Sequence, residues 1–300
     1  MQIKSVQEYI TLIEKLKNNY TYSTSLGKNP LFERGTYKPH FIFRGHSNDK
    51  KYNLLPQVLR WNDLGNGAAC TAFSQLEYNI LKDFMAEACR FVRDVPTNDI
   101  PAWLEIAQHY GVPTRLLDFT ENPLIALYFA CSKHNDEDAS VWIIDEYAYN
   151  KKLHNEVGLV QAAKSQDIVG QIVYKEIVNN DYMLHVGNSE YIQYPWIYKP
   201  LYREERMNLQ SSIFMIWGAI RNDLKELIPE SDFMKEQEAS NADHGIICKI
   251  LIPANKKEGI LQQLNLLGIS EKFIYPGMDG VGKFINEKYS SERIRKGNTI

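Results

Sequence analysis

Residues 122–131, Asn-Pro-Leu-Ile-Ala-Leu-Tyr-Phe-Ala-Cys, constrain what this chain can fold into more than any other segment. Asn122 before Pro123 marks a helix start, because proline at the first helical position lacks a donor that the helix leaves unpaired anyway. The residues that follow are apolar nearly all round. A helix without a polar face must be covered on every side, so this one is predicted to be central and buried. It is too short to span a bilayer, and no apolar run anywhere in the chain reaches about 18 residues.

The flanking pattern supplies partners for that helix. His40–Gly45, Ser140–Asp145, Ser212–Trp217 and Ile246–Ile252 are rich in β-branched and aromatic residues and read as strands. Ser5-Val6-Gln7-Glu8 is a capping box, followed by Val6, Tyr9, Ile10, Ile13 and Leu16 at helical spacing. A second helix is predicted from near Thr71 to Arg93, with Phe84, Ala88 and Phe91 on its apolar face. A third runs from Asp99, with Pro101 in its first turn, to Gly111. A capped amphipathic helix covers Asn255 to Leu267 and ends at Gly268. Residues 19–38 read as a polar loop, and Tyr275–Gly280 as a turn into a final helix. With no internal repeat or interdomain linker, the chain reads as α+β: a single mixed domain at 38–290 with a central, largely antiparallel sheet flanked by helices. An N-terminal helix and loop (1–37) precede it, an irregular insertion occupies about 147–200, and a frayed tail takes 291–300.

Charge narrows the function classes. The 34 basic and 37 acidic side chains are interleaved and give a net charge of −3, which disfavours bulk binding to nucleic acid. The four cysteines, Cys70, Cys89, Cys131 and Cys248, form no C-x-x-C pair, so neither zinc nor a disulfide framework is expected. Cys131, in the apolar helix, is expected to be a buried thiol. The N-terminus opens on an amphipathic stretch rather than a signal peptide, so a cytoplasmic, membrane-free protein is expected.

Polar residues set among apolar flanks mark the candidate site. Arg44 ends an apolar strand, where a guanidinium can reach a phosphate or ribose while Gly45 leaves room for a ligand; a strand arginine in an ion pair is the alternative. Gln108-His109-Tyr110-Gly111 closes the third helix, and Thr114-Arg115-Leu-Leu-Asp118-Phe-Thr120 leads into the next. The helix C-terminus favours a protonated His109, and Asp118 is placed to pair with Arg115 or His109. Thr120 and Asn122 stand where exposed N–H groups either bind an anion or are capped. Arg206 and Gln210, four residues apart, share a face if their segment is helical. Asp279, between turn residues, reads as a local hydrogen-bonding aspartate. Such groups either knit elements together or line a site.

Together these blocks resemble the FRG domain, a bacterial and phage family named for its Phe-Arg-Gly motif. The matching residues are Phe43-Arg44-Gly45, Leu55-Pro56, Arg60, Ala107 through Thr120, Asn122-Pro123, Ala126-Leu-Tyr-Phe-Ala130, Arg206, Gln210, Phe214 and Tyr275-Pro-Gly-Met-Asp-Gly280. Ser212 and Gly277 depart from the family's usual glycine and aspartate. The motif order is also similar to that of ADP-ribosyltransferases: a strand bearing Arg-Gly, a polar triplet before an Ala-x-x-Phe-Ala helix, then a strand with Glu or Gln. This resemblance implies an ADP-ribosyltransferase-like fold and NAD as substrate, with no metal. It makes Arg44, Gly45, Arg115 and Arg206 nucleotide-binding residues, and His109, Asp118, Thr120 and Gln210 catalytic ones. A transferase or NAD hydrolase acting as a toxin or phage-defence effector is implied, on a protein or nucleic-acid acceptor. A non-catalytic sensor of a nucleotide or phage component is the alternative.

Overall fold

The computed structural model describes residues 1–20, 22–24, 35–37, 39–60, 69–154, 169–170, 172–173, 194–201, 205–218, 222–235, 245–278 and 285. Two short strands, β1 (Tyr22–Thr24) and β2 (Gly35–Tyr37), pair as a small antiparallel ribbon where a plain loop was expected. The other six are β3 (Phe41–His46), β4 (Leu116–Thr120), β5 (Ala139–Asp145), β6 (Trp196–Tyr198), β7 (Ser212–Ile216) and β8 (Ile247–Ile252). They form one open antiparallel sheet in the order β6-β7-β4-β3-β5-β8. With nine α-helices among the described residues, the fold is the mixed α+β class read from the sequence. None of these helices is long and apolar enough to cross a membrane.

The apolar helix, α4 (Pro123–Cys131), is as central as its sequence demands. Asn122 caps it by accepting from the Leu124 N–H at 3.0 Å, and Ile125, Ala126, Leu127, Ala130 and Cys131 are fully buried. It lies across β3 in a core shared with α1 (Val6–Asn19) and α8 (Ala254–Leu266). Ser5 caps α1 by accepting from Glu8 N–H, while the Glu8 carboxylate reaches Lys4 N–H rather than the cap residue's own. Pro253, the residue before α8, supplies no side-chain cap; the first N–H of the helix, that of Ala254, instead donates to the Asp138 carboxylate at 2.8 Å.

The opposite face of the sheet packs Ile42, Leu117, Phe119, Ile213 and Met215 against α5 (Glu146–His154) and α7 (Leu224–Leu227). A third cluster joins α2 (Ala69–Ala88) and α3 (Ile100–His109) to β6 and β7 through Trp103, Trp196 and Phe214. Two expectations fail here. α2 stops before Phe91, which is 75% exposed rather than buried. The segment 116–120 is a strand, β4, and not merely a lead-in to α4. The stretch expected to be irregular, 147–200, opens within α5 and contains β6; most of what lies between is outside the described residues.

Candidate functional site

Where β3 and β4 meet, the sheet opens a cleft of ≈710 Å³. The two strands pair at one position, Phe43 opposite Thr120. Strand alternation puts Asp118 and Thr120 of β4, and Ser212 and Phe214 of β7, on the face that carries α4. The walls are α4, the C-terminal end of α3 at 108–111, and α6 (Glu205–Leu209). Arg44, Gly45, His109, Asp118, Thr120, Arg206 and Gln210 all line this cleft. Segments up to 166 positions apart in sequence therefore converge, as the motif reading requires.

Arg44 fills the gap beyond the last β3–β4 pair. Its Nη1 donates to the Asp118 carbonyl and stands 3.9 Å from the Asp118 carboxylate, while its Nε donates to His46 Nε2 at 3.3 Å. Burial pulls the guanidinium down to about 10 against the opposing pull of Asp118. It stays cationic at neutral pH. Asp118 pairs with Arg44 and with Gln108, whose Nε2 donates to it at 2.7 Å. Gln108 also accepts from Thr114 Oγ1, so one carboxamide braces the cleft's carboxylate from the end of α3. Asp118 remains 53% exposed, so a ligand can reach it. Among the described lining residues it is the one carboxylate, and it shares the cleft with the cations Arg44, Lys133 and Arg206. The field therefore favours an anion with a local demand for one negative partner.

Other predicted residues are partly committed to the scaffold. The Thr120 hydroxyl donates to the Gln210 carbonyl at 2.6 Å and accepts from Asn122 N–H, which fixes the turn into α4. Gln210 Nε2 donates to the Ile274 carbonyl at 3.0 Å. The Arg206 guanidinium lies over the Tyr275 ring, 4.4 Å from its centroid. Arg206 and Gln210 do share a face, and both turn to the corner after α9 (Glu271–Ile274) rather than to each other. His109 ends α3 with its ring edge-on to Tyr110, centroids 5.0 Å apart.

Two assignments change. Arg115 does not line the cleft: it is 2% exposed and forms a bidentate pair with Glu77, Nε donating to Oε1 at 3.1 Å and Nη2 to Oε2 at 2.6 Å, and donates to the Trp217 carbonyl. It ties α2 to β4, and its partner is Glu77 rather than Asp118. Gly45 lines the cleft, yet α4 sets its identity. A Cβ there would lie 2.0 Å from the Ala126 carbonyl oxygen and 2.7 Å from the Ala130 nitrogen. The space that glycine leaves is taken by a helix backbone, and the two alanines are the matching small residues on α4. Asp279 lies outside the described residues.

Two residues at the cleft were not singled out by sequence. One is His46: it is 3% exposed, and burial and then the positive charges of Arg44, Arg60, Lys249 and Lys225 push its pKa down to about 2, so it is neutral. Its signal was alternation, two residues after Arg44 on the same strand face. Lys257, 1% exposed, holds the rim: its Nζ meets the carbonyls of Ser47, Lys133, His134 and Glu137 at 2.9, 2.5, 2.7 and 3.3 Å. Among the described residues, no group of three or more His, Cys, Asp or Glu is placed to hold a metal ion.

Compared with known families, residues 39–139 match the FRG domain, a span that carries β3, α3, β4 and α4. No curated protein and no solved structure matches the chain.

Proposed function

The chain carries an FRG domain over residues 39–139, and from that premise we propose that its cleft binds NAD and cleaves the nicotinamide–ribose bond. One observation carries this: Arg44, Asp118 and Gln210, from three separate elements, line a single cleft of ≈710 Å³, within the range of about 300–1,000 Å³ usual for small-molecule sites. Cleavage sends the C1′–N bond electrons into the pyridinium ring, releasing neutral nicotinamide and leaving an oxocarbenium-like ribose. Asp118, the exposed carboxylate braced by Gln108, is suited to stabilise that positive centre. Arg44 provides charge-assisted donors for the pyrophosphate. The Gln210 carboxamide oxygen is left for a ribose hydroxyl. His109 takes the proton of the attacking water, protein or nucleic-acid group. Such an activity suits a toxin or phage-defence effector.

A second reading has specific support. The Thr120 hydroxyl and the Gln210 amide nitrogen are already bonded to backbone carbonyls, as suits a sensor that binds a nucleotide without turning it over. Incubating the protein with NAD and following nicotinamide release by chromatography decides between them. Release that disappears in Asp118→Asn, with the fold retained, supports the enzyme. Intact NAD recovered from the protein supports the sensor.

A further inference from the structure

The nucleotide reading of the cleft leaves His46 without a task, and the structure supplies one. Arg44 and His46 lie two apart on β3 and face the same side. The Arg44 Nε–H points at His46 Nε2, 3.3 Å away. An arginine always donates, so Nε2 must be an unprotonated acceptor and the ring's single hydrogen must sit on Nδ1. That Nδ1 is buried and has no hydrogen-bond partner among the described residues. The charged groups facing the ring, Arg44, Arg60, Lys225 and Lys249, are all cationic, and each opposes an imidazolium. A buried donor without a partner lowers stability. Its presence on this strand therefore calls for a role other than packing.

We infer that His46 is a positioning residue for Arg44, fixing the guanidinium so that its free donors meet a phosphate oxygen of the nucleotide. Arg44 is held at two points. Nε goes to His46 and Nη1 to the Asp118 carbonyl, which together set the plane of the fork. Of the five donors a guanidinium carries, those on Nη2 and the second on Nη1 remain for a ligand. An arginine held at Nη1 alone rotates about its side-chain torsions and loses that direction; pre-organised donors bind an anion more tightly than mobile ones. His46 thus acts through Arg44 and touches no ligand atom itself.

This inference rests on the nucleotide reading of the cleft, and its test separates the two. ADP-ribose is titrated calorimetrically into wild type, His46→Leu and His46→Gln, each checked by thermal melting. Imidazole ¹⁵N shifts are recorded for wild type. The leucine variant is expected to bind about tenfold more weakly, because one charge-assisted contact loses its geometry. The glutamine variant, whose Oε1 can accept from Arg44 Nε, should recover most of that loss. The imidazole should report a neutral ring with its hydrogen on Nδ1. Wild-type affinity in His46→Leu, or a hydrogen on Nε2, overturns the positioning role. If wild type binds no ADP-ribose while the Nδ1–H form is seen, the nucleotide reading fails and takes the phosphate role with it, leaving only the Arg44–His46 contact.

Discussion

Replacing Gly45 by alanine adds one methyl group at the point where β3 and α4 touch. The new Cβ would lie 2.0 Å from the Ala126 oxygen, 2.7 Å from the Ala130 nitrogen and 3.1 Å from the Ala126 carbonyl carbon. Carbon and oxygen normally approach no closer than about 3.3 Å, as even weak C–H···O contacts show, so the shortfall exceeds about 1 Å. Both colliding partners are backbone atoms, and no rotamer change relieves them. α4 cannot retreat freely either, because it is packed against α1 and α8 in one apolar core. Overpacking a core by a methylene costs roughly 1–3 kcal/mol when side chains can yield. Here they cannot, so about 3–5 kcal/mol is expected, a large share of a typical folding stability of roughly 5–15 kcal/mol. Urea denaturation of Gly45→Ala should show a much lower midpoint with an unchanged slope. Gly111→Ala is the control: its Cβ meets nothing within 4 Å, but its φ of +77° costs roughly 1–2 kcal/mol in any L-residue. A Gly45→Ala protein as stable as wild type would refute the close approach of α4 and return the glycine to a ligand-spacing role.

Four further outcomes follow from buried charges and histidines. Arg115→Met should cost about 3–5 kcal/mol by leaving Glu77 unpaired at 1% exposure, while Arg115→Met with Glu77→Leu should cost far less, both read by urea denaturation. Lys257→Met should cost about 2–4 kcal/mol in the same assay, because the carbonyls now meeting Nζ lose a charged donor. Stability should also fall as pH rises through the alkaline range. Hydrogen bonds to Glu121 and Glu146 raise His40 to about 9, so its contribution is complete below its ordinary 6.5 and gone above about 9. Its size is about 1 kcal/mol, because the ring is partly exposed and burial pushes the paired Glu146 upward; His40→Gln should flatten that limb of a stability–pH curve. On the acid side His46, pushed down to about 2, should cost stability as pH drops below 6.5, since unfolding frees it to take a proton.

The central helix was the most legible feature, because a segment apolar on all sides has to be covered on every side. Strands β3, β5, β7 and β8 were legible for a related reason: each holds several β-branched or aromatic apolar residues in a short run, broken only by single charges such as Arg44 in β3 and Lys249 in β8. β4 was not. Leu117 and Phe119 face one core while Asp118 and Thr120 face the cleft, so its five residues read only as a lead-in to α4. Within the site, the motif blocks told which residues gather but not what they hold. Arg115 finds Glu77, 38 positions earlier and on another helix. The Thr120 and Gln210 partners are backbone carbonyls of other segments. Partner choice of this kind is fixed by tertiary packing and leaves no local pattern. Gly45 was read for the right property, the missing side chain, and assigned to the wrong neighbour. A helix backbone needs the same space as a ligand, and the pairing with Ala126 and Ala130 is the sign that separates them.

The account stands most directly on whether Arg44 holds a nucleotide in the cleft. Titrating NAD into wild type and Arg44→Ala by isothermal calorimetry, with melting curves to confirm that both are folded, addresses it. Saturable one-site binding by wild type that weakens at least about tenfold in the variant, the loss expected for a charge-assisted contact, is the predicted result. Equal binding by the two proteins, or no heat from wild type, would contradict it.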